Sequence, residues 1–424
     1  MTTLPRQCLV APPIEHHALA NPAQALREAL DHTWASEPWK GRRVALAIGS
    51  RGVDRIGELA ATLVAWLRAR GAEPVIVPAM GSHGGATAEG QREVLAGYGV
   101  TEREVGAPID ASMDVTEVGD SALGVKVVIG AAFLAADAVI VVNRVKPHTD
   151  FDSLRVGSGL LKMSVIGLGK AEGAFRAHWA AKTQGYEQVF LDVSATVLSH
   201  LPNAFGVALV EDGSHKLGHI TLLKGAEFHA REPELLKRAR GWMPALPIPE
   251  VDVLIVDEIG KNISGAGMDT NIIGRGVDLK PMANRRADVR VIYARGLTPE
   301  SHGNAVGIGL ADIVSQRLVD SMDPVFTYTN AISAMTPAPA RISIHFPTDR
   351  QCLEAALRIS AADPAAPRVA RIRNTLALDR VVLSEACLAT LPGNVEILVP
   401  PGDWQYDEAG NFDARTDLLQ PVPA

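Results

Sequence analysis

Apolar and polar residues alternate in two distinct patterns along the first half of the chain. Short apolar runs, rich in branched residues, predict buried strands at 44–48, 74–78, 124–129 and 138–142. Between the first three strands, apolar residues recur at helical spacing from Asp54 up to Gly71 and from Thr87 to Ala96. Strands that alternate with helices pair in parallel through right-handed crossovers. The pattern therefore predicts the α/β class.

A proline-marked segment at 243–249 separates this half from a second one, which opens on another apolar strand at 251–256. We expect two α/β domains with mainly parallel sheets, at residues 1–246 and 250–424. A chain of 424 residues is long enough for two such cores. Because sites of two-domain enzymes lie in the groove between domains, we expect a cofactor cleft between them.

Composition excludes several classes of protein. The net charge of −7 leaves no basic surplus for nucleic acid phosphates, so we expect no nucleic acid partner. Cys8, Cys352 and Cys387 are scattered, which indicates reduced thiols rather than a disulfide framework or a zinc site. The first twenty residues lack the apolar core of a signal peptide, and the most apolar window, 124–143, is interrupted by charges. These features predict a cytoplasmic protein without a membrane partner.

Polar side chains follow three of the predicted strands. The pairs are Ser50 with Arg51, Ser82 with His83, and Lys146 with His148. In open α/β sheets ligands bind outside the carboxyl ends of the strands, where such turns converge. Two histidines at one sheet edge suit general acid–base chemistry, because imidazole titrates near neutral pH.

The stretch 143–178 is the richest in reactive groups and also contains Lys162 and His178. Its glycines suggest a phosphate loop, but Ser164 and Ala171 occupy positions where a Walker A motif needs glycine and Ser or Thr. A looser cradle of backbone amides stays open. Lys162 is a candidate Schiff-base nucleophile or cofactor anchor.

Several separated segments in this region together resemble the lactate racemase family of nickel-pincer-nucleotide-dependent isomerases. They are Gly81-Ser82-His83-Gly84, Lys146-Pro147-His148, Gly159-Leu160-Leu161-Lys162-Met163 and His178. The resemblance runs in order over residues 43–178. It includes the step of sixteen residues from Lys162 to His178.

The resemblance implies a racemase or epimerase that inverts C2 of a 2-hydroxy acid. His83 and His148 would be the acid–base pair, while hydride passes reversibly between C2 and the pyridinium ring. Lys162 would carry the nickel-pincer nucleotide, His178 would ligate nickel, and Arg51 would steady the substrate carboxylate or the cofactor. Cofactor-synthesis enzymes would be partners during maturation.

The same resemblance implies further cofactor-binding residues. Asn271 and Arg275 stand in a setting like that of polar residues from the second domain of the family. Ser50 is a further candidate for cofactor binding by its position in the first turn at the sheet edge.

Two departures concern the substrate. Family members that act on lactate have an acidic residue in the first turn, where this chain has Ile48 and Gly49. The interval from His148 to Lys162 is longer than in those members and contains Asp150, Asp152 and Arg155. These three side chains either bind a more hydroxylated substrate, such as a sugar acid, or are simply loop residues. Two other functions also stay open: a Schiff-base lysine enzyme acting on a keto acid, and a non-catalytic binding protein of the same fold.

Overall fold

The computed structural model describes residues 4–50, 52–201 and 203–419, which form two compact units. One unit contains Glu15–His148 and Ser153–Met243. The other contains the described residues up to Ile14, Thr149–Asp152, and the described residues from Pro244 onward. We call them the N-terminal unit and the C-terminal unit, after the position of most of their residues.

The strands follow one another at short intervals along the described chain. In order they are β1 Gln7–Ala11, β2 Arg43–Ile48, β3 Glu73–Pro78, β4 Val115–Asp120, β5 Lys126–Gly130, β6 Ala138–Arg144, β7 Ala204–Glu211, β8 Leu217–Lys224, β9 Glu250–Ile259, β10 Asp288–Leu297, β11 Ile313–Ser315, β12 Ile344–Phe346, β13 Val369–Ile372, β14 Val381–Ser384 and β15 Glu396–Gly402.

The helices alternate with these strands. They are α1 Pro22–Thr33, α2 Ile56–Ala69, α3 Ala88–Ala96, α4 Glu102–Val105, α5 Ala131–Leu134, α6 Leu160–Lys162, α7 Lys170–Gln184, α8 Tyr186–Ser199, α9 Phe228–Trp242, α10 Thr270–Ile273, α11 Gln316–Asp320, α12 Pro324–Ser333 and α13 Asp349–Ile359. A π-helix, Met163–Gly167, continues α6 toward α7.

The N-terminal unit is built on a five-stranded sheet in the order β3-β2-β6-β7-β8. The first four strands are parallel, and β8 is antiparallel to β7. One face is covered by a large apolar cluster in which Trp39 contacts Phe205 at 5.1 Å between ring centroids and Trp66 at 6.0 Å. Burial of these large rings stabilises the sheet, because each removes much apolar area from water.

The opposite face of this sheet carries small residues, which allow helices to approach closely. Ala45, Ala47, Gly206 and Ala208 alternate with the larger core residues along their strands. A side chain at Gly206 would come within 2.5 Å of the Leu160 side chain and 2.7 Å of the Phe228 ring. The start of α6 and the start of α9 therefore lie directly against β7.

The C-terminal unit contains an eight-stranded sheet in the order β12-β11-β10-β9-β13-β14-β1-β15. Strands β9 to β13 are mutually parallel, whereas β14, β1 and β15 pair antiparallel at one side. The N-terminal strand β1 thus completes a sheet whose other strands come from residues 250–402.

Buried charges join neighbouring strands of this second sheet. Arg371 on β13 is 2% exposed and bonds Asp257 on β9 and Asp417, with nitrogen–oxygen distances of 2.7 Å to each. Arg295 on β10 bonds the other side of Asp257, also at 2.7 Å, and reaches Asp349 at 2.7 Å. Each arginine thereby lies between two carboxylates, which compensates the desolvation of all of them.

The α/β class with mainly parallel sheets is confirmed, and β2, β3, β9, α2 and α3 lie where the pattern predicted them. The predicted end of the fourth strand at residue 142 is wrong, because Asn143 and Arg144 still pair with Ala208 and Leu209 of β7. The predicted domains at 1–246 and 250–424 stay a prediction. The compact units differ from it in two short segments, around β1 and at 149–152.

Two expectations from composition can be compared with the structure. All three cysteines are free and buried. Among the described residues, no helix is both long enough and apolar enough to cross a membrane.

Replacing Arg371 by Met should lower the free energy of unfolding by about 3–5 kcal/mol, because it leaves Asp257 and Asp417 buried with one partner fewer. Arg415→Met is the matched control, since the Arg415 side chain is 85% exposed beside Asp413. Chemical denaturation followed by circular dichroism measures both. Equal, small effects would show that the buried network does not stabilise this sheet.

Candidate functional site

Two parallel strands of the N-terminal unit, β2 and β3, end at the same level, and their neighbour β6 continues to Arg144. Ile48, the last residue of β2, pairs with Pro78 on β3 at one side and with Val142 on β6 at the other. The amide of Ala79 then donates to the Ile48 carbonyl at 2.7 Å, which locks the first turn residue of β3 onto β2. The turns that hold Ser50, His83 and His148 therefore leave one edge of the sheet, as the sequence predicted.

The segment that carries Lys162 lies against this edge. A side chain at Gly49 would come within 2.7 Å of the Met163 methyl group, and one at Gly167 would come within 2.9 Å of the Ala79 carbonyl oxygen. Lys162 precedes Met163 and is half-buried. The glycines thus allow the Lys162 segment to contact the turns after β2 and β3 directly.

A buried side-chain amide binds the backbone of the turn that contains His83. Gln91 on α3 is fully buried, and its Nε2 donates to the carbonyl of Gly81 at 2.9 Å and to that of His83 at 3.3 Å. Gly84 has a φ of +64°, and a side chain there would come within 2.4 Å of the Gly90 backbone. The His83 side chain, in contrast, is exposed. The backbone of the turn is fixed while its imidazole is accessible.

His148 lies at the start of a loop that returns to the same edge. The backbones of Lys146 and Ser158 exchange hydrogen bonds of 3.2 and 2.7 Å, which closes the loop at its base. Asn143 on β6 donates its Nδ2 to the Gly159 carbonyl at 3.1 Å. These bonds tie the exit of β6, with half-buried His148 following it, to the residue just before α6.

His178 lies on the side of α7 that faces the His83 turn and α8. A side chain at Gly81 would come within 3.2 Å of the Ala174 Cβ, and Ala174 lies one helical turn before His178. The half-buried imidazole of His178 also lies 6.2 Å, between ring centroids, from Tyr186 and from Phe190. The aromatic rings restrict the imidazole orientation.

A buried lysine joins α7 to β3. Lys170 is fully buried, has a φ of +55°, and donates its Nζ to the Pro78 carbonyl at 2.8 Å, above the ring of Phe133. Burial lowers the pKa of this amine to about 8, an effect that the carboxylate of Asp110 partly opposes. A cation at a helix N-terminus is also unfavourable with respect to the helix dipole. This costly arrangement holds the end of β3 and the start of α7 together.

Of the other predicted site residues, Ser50 follows β2 and accepts a hydrogen bond from the Tyr98 hydroxyl through its carbonyl, at 2.7 Å. Arg51 lies outside the described residues. Asn271 and Arg275 belong to the C-terminal unit. There Asn271 donates to Asp269 at 2.9 Å, and Arg275 bonds Asp312 at 2.8 Å.

Two polar residues from the interval after His148 also have protein partners. Asp152 accepts hydrogen bonds from the amide and the side chain of Asn284, at 2.6 and 2.9 Å, within the C-terminal unit. Arg155 lies 3.7 Å from Glu187 in the N-terminal unit. Their contacts agree with the loop interpretation at least as well as with a substrate role.

The protein side chains alone do not assemble a complete metal site in the part of the chain that the structure describes. No group of three or more His, Cys, Asp or Glu residues there is arranged to hold an ion.

Three buried residues near the predicted site carry no sequence signal that could have revealed them. Gln91 and Glu232 lie in polar helical stretches, where exposure is the ordinary expectation. Lys170 follows the glycines of the rejected phosphate loop. Their burial results from contacts with residues distant in sequence, which local patterns do not reveal.

Lys170→Met should change how stability depends on pH. Between pH 8 and 10.5 the unfolded chain retains a proton that folded Lys170 has released, so this group makes the free energy of unfolding rise with pH. The variant lacks that rise, and the stability difference between wild type and variant should grow in favour of wild type across this window. Urea titrations at several pH values measure it, with Lys182→Met on the exposed side of α7 as control. A pH-independent difference would contradict the depressed pKa.

Comparisons with known proteins agree with this architecture. Residues 6–183 match the lactate racemase N-terminal domain. The fold is similar to that of the lactate racemase apoprotein from Thermoanaerobacterium thermosaccharolyticum, with a TM-score of 0.55 and 15% identity over 88% of this chain and 99% of that one. It is also similar to the crystal structure of a Thermotoga maritima protein, with a TM-score of 0.53 and 14% identity over 86% and 99%. No curated protein matches the chain. Residues 6–183 therefore carry a lactate racemase N-terminal domain, and the two solved structures share the fold over most of the chain.

Proposed function

We propose that this protein is an isomerase that inverts C2 of a 2-hydroxy acid with a nickel-pincer nucleotide. The observation that carries the proposal is the parallel pairing of β2, β3 and β6, whose carboxyl ends lie at one edge of the sheet. It brings the turns of His83 and His148 to the edge against which the Lys162 segment packs. An acid–base pair beside a cofactor anchor is what such an inversion requires.

The residues fit the cofactor that the family implies. Lys162 is half-buried and precedes Met163, whose side chain packs closely on Gly49 of the first turn and on Gly167. His178 offers an imidazole, which is a suitable nickel ligand, and a pincer nucleotide brings the remaining donors itself. Ser50 lies at the carboxyl edge, where nucleotides bind in α/β sheets. When bound, the cofactor supplies a reversible acceptor for the hydride of C2.

The task of the protein is to move protons and to hold the substrate. In the proposed mechanism, one histidine of the pair His83 and His148 removes the hydroxyl proton of one enantiomer. The other histidine returns a proton after the planar keto acid has turned its opposite face. Gln91 keeps the His83 backbone in place during both steps, since it holds two carbonyls of that turn. Inversion thus needs both histidines in each complete turnover.

Arg51, Asn271 and Arg275 remain proposed contacts to the cofactor or the substrate carboxylate. Arg275 already bonds Asp312, so a ligand would share an existing ion pair. The proposed partners are a small 2-hydroxy acid and the enzymes that synthesise the cofactor.

The cofactor assignment predicts a mass adduct on Lys162. Protein produced together with cofactor-synthesis enzymes should carry added mass on the peptide containing Lys162, and Lys162→Ala should abolish it. His178→Ala should reduce nickel content, whereas His83→Ala should leave it nearly unchanged. Peptide mass spectrometry and metal analysis measure these outcomes. Borohydride trapping of a keto acid on Lys162 in nickel-free protein would instead support the Schiff-base alternative.

The acid–base assignment predicts equal roles for the two histidines. His83→Ala and His148→Ala should each slow isomerisation in both directions by about 10²–10⁴-fold, the usual contribution of a general acid–base group. Substrate deuterated at C2 should give product that retains most of the label, because the hydride does not exchange with water. Chiral chromatography with mass detection measures both. Rapid loss of label to solvent would indicate proton abstraction from carbon and refute the hydride mechanism.

A further inference from the structure

A buried carboxylate lies at the start of the helix that carries Lys162. Glu232, on α9, is fully buried, and its Oε2 accepts a hydrogen bond from the Leu161 amide at 2.8 Å. Burial raises the pKa of this carboxyl group to about 8, and the backbone amides of Leu161, Leu160 and Gly157 oppose the shift. The carboxyl group thus faces the backbone amides at the start of α6.

The packing around this carboxylate is tight. A side chain at Gly159 would come within 2.3 Å of Glu232 Oε1, closer than any real contact permits. On its other side, Gly159 accepts through its carbonyl the hydrogen bond from Asn143 on β6. Gly159 therefore lies between Glu232 and the end of β6 and contacts both.

Lys162 follows the bonded Leu161 directly and is the last residue of α6. We propose that Glu232 is a positioning residue that fixes the backbone at 159–161 and thereby sets where Lys162 presents its amine. The inference rests on the proposed function in one respect, namely that Lys162 is the cofactor anchor.

A simple helix cap would not need this arrangement. The ordinary cap is a Ser, Thr, Asp or Asn at the preceding position, where this chain has Gly159. A Glu from another helix costs more to bury, yet it fixes α6 to α9 as well as satisfying the amides. The glycine that a local cap would replace is the one that the carboxylate needs.

The test uses the reactivity of Lys162 in the full-length chain produced without cofactor-synthesis enzymes. Competitive acetylation with acetic anhydride, read by peptide mass spectrometry, gives the rate of Lys162 relative to exposed Lys237 on α9. Glu232→Ala should raise this ratio about fivefold, the factor that one lost hydrogen bond implies. Glu232→Gln keeps an acceptor oxygen and should give a smaller rise. Glu234→Ala, on the exposed side of the same helix, should leave the ratio unchanged.

A double-mutant cycle separates positioning from general loss of stability. Gly159→Ala should also raise the ratio, because its methyl group displaces the carboxylate, and it should do so less in the Glu232→Ala background, where that clash is gone. Strictly additive effects, or an unchanged Lys162 rate in folded Glu232→Ala and Glu232→Gln protein, would overturn the proposal. Because acetylation needs no cofactor, this result is independent of whether Lys162 carries a nickel-pincer nucleotide. In cofactor-matured protein, the Lys162 adduct fraction should fall in Glu232→Ala and recover partly in Glu232→Gln.

Discussion

The register of three parallel strands, β2, β3 and β6, determines the geometry of the candidate site. Ile48 pairs with residues on both neighbouring strands, and its carbonyl also binds the first residue after β3. Leu46 on β2 and Ile140 on β6 point into the same buried core. If either strand slipped by one residue, its core side chains would turn toward the opposite face of the sheet. Core packing therefore fixes the strand register, and the register fixes where the turns with Ser50 and His83 begin.

The packing against this edge depends on glycines, which have no side chain, and on two buried ionisable groups. Gly49, Gly81 and Gly167 leave space for the segment between α6 and α7 to pack on the turns. Glu232 holds the beginning of that segment, and Lys170 holds its end to β3. Buried hydrogen bonds of this kind hold a backbone firmly, because breaking them in a low-dielectric interior is costly.

Sequence patterns predicted the strands and turns that depend on local alternation, but not the features that depend on distant partners. The edge with Ser50, His83 and His148 followed from strand–helix alternation alone. The extension of β6 through Arg144 depends on β7 and on an ion pair with Glu211, neither of which is adjacent in sequence. The π-helix after Lys162 has no periodicity of its own to detect, and β1 pairs with strands from the far end of the chain. Local propensity carries no information about such pairings.

The two units use buried charge differently, and this difference favours the N-terminal unit as the location of chemistry. In the C-terminal unit a pocket of about 330 Å³ is lined by Asp257, Arg295, Arg317 and Asp417, among others, and each of these four has an opposite charge beside it. Opposite charges keep one another ionised, so such a network resists titration and stabilises the sheet.

Lys170 and Glu232, in contrast, contact backbone carbonyl and amide groups, and burial brings the pKa of each to about 8. Groups whose pKa values are shifted toward neutral pH cluster at functional sites. Here they hold the two ends of the segment that begins just before Lys162 and leads into the helix of His178, the two residues proposed to bind the cofactor.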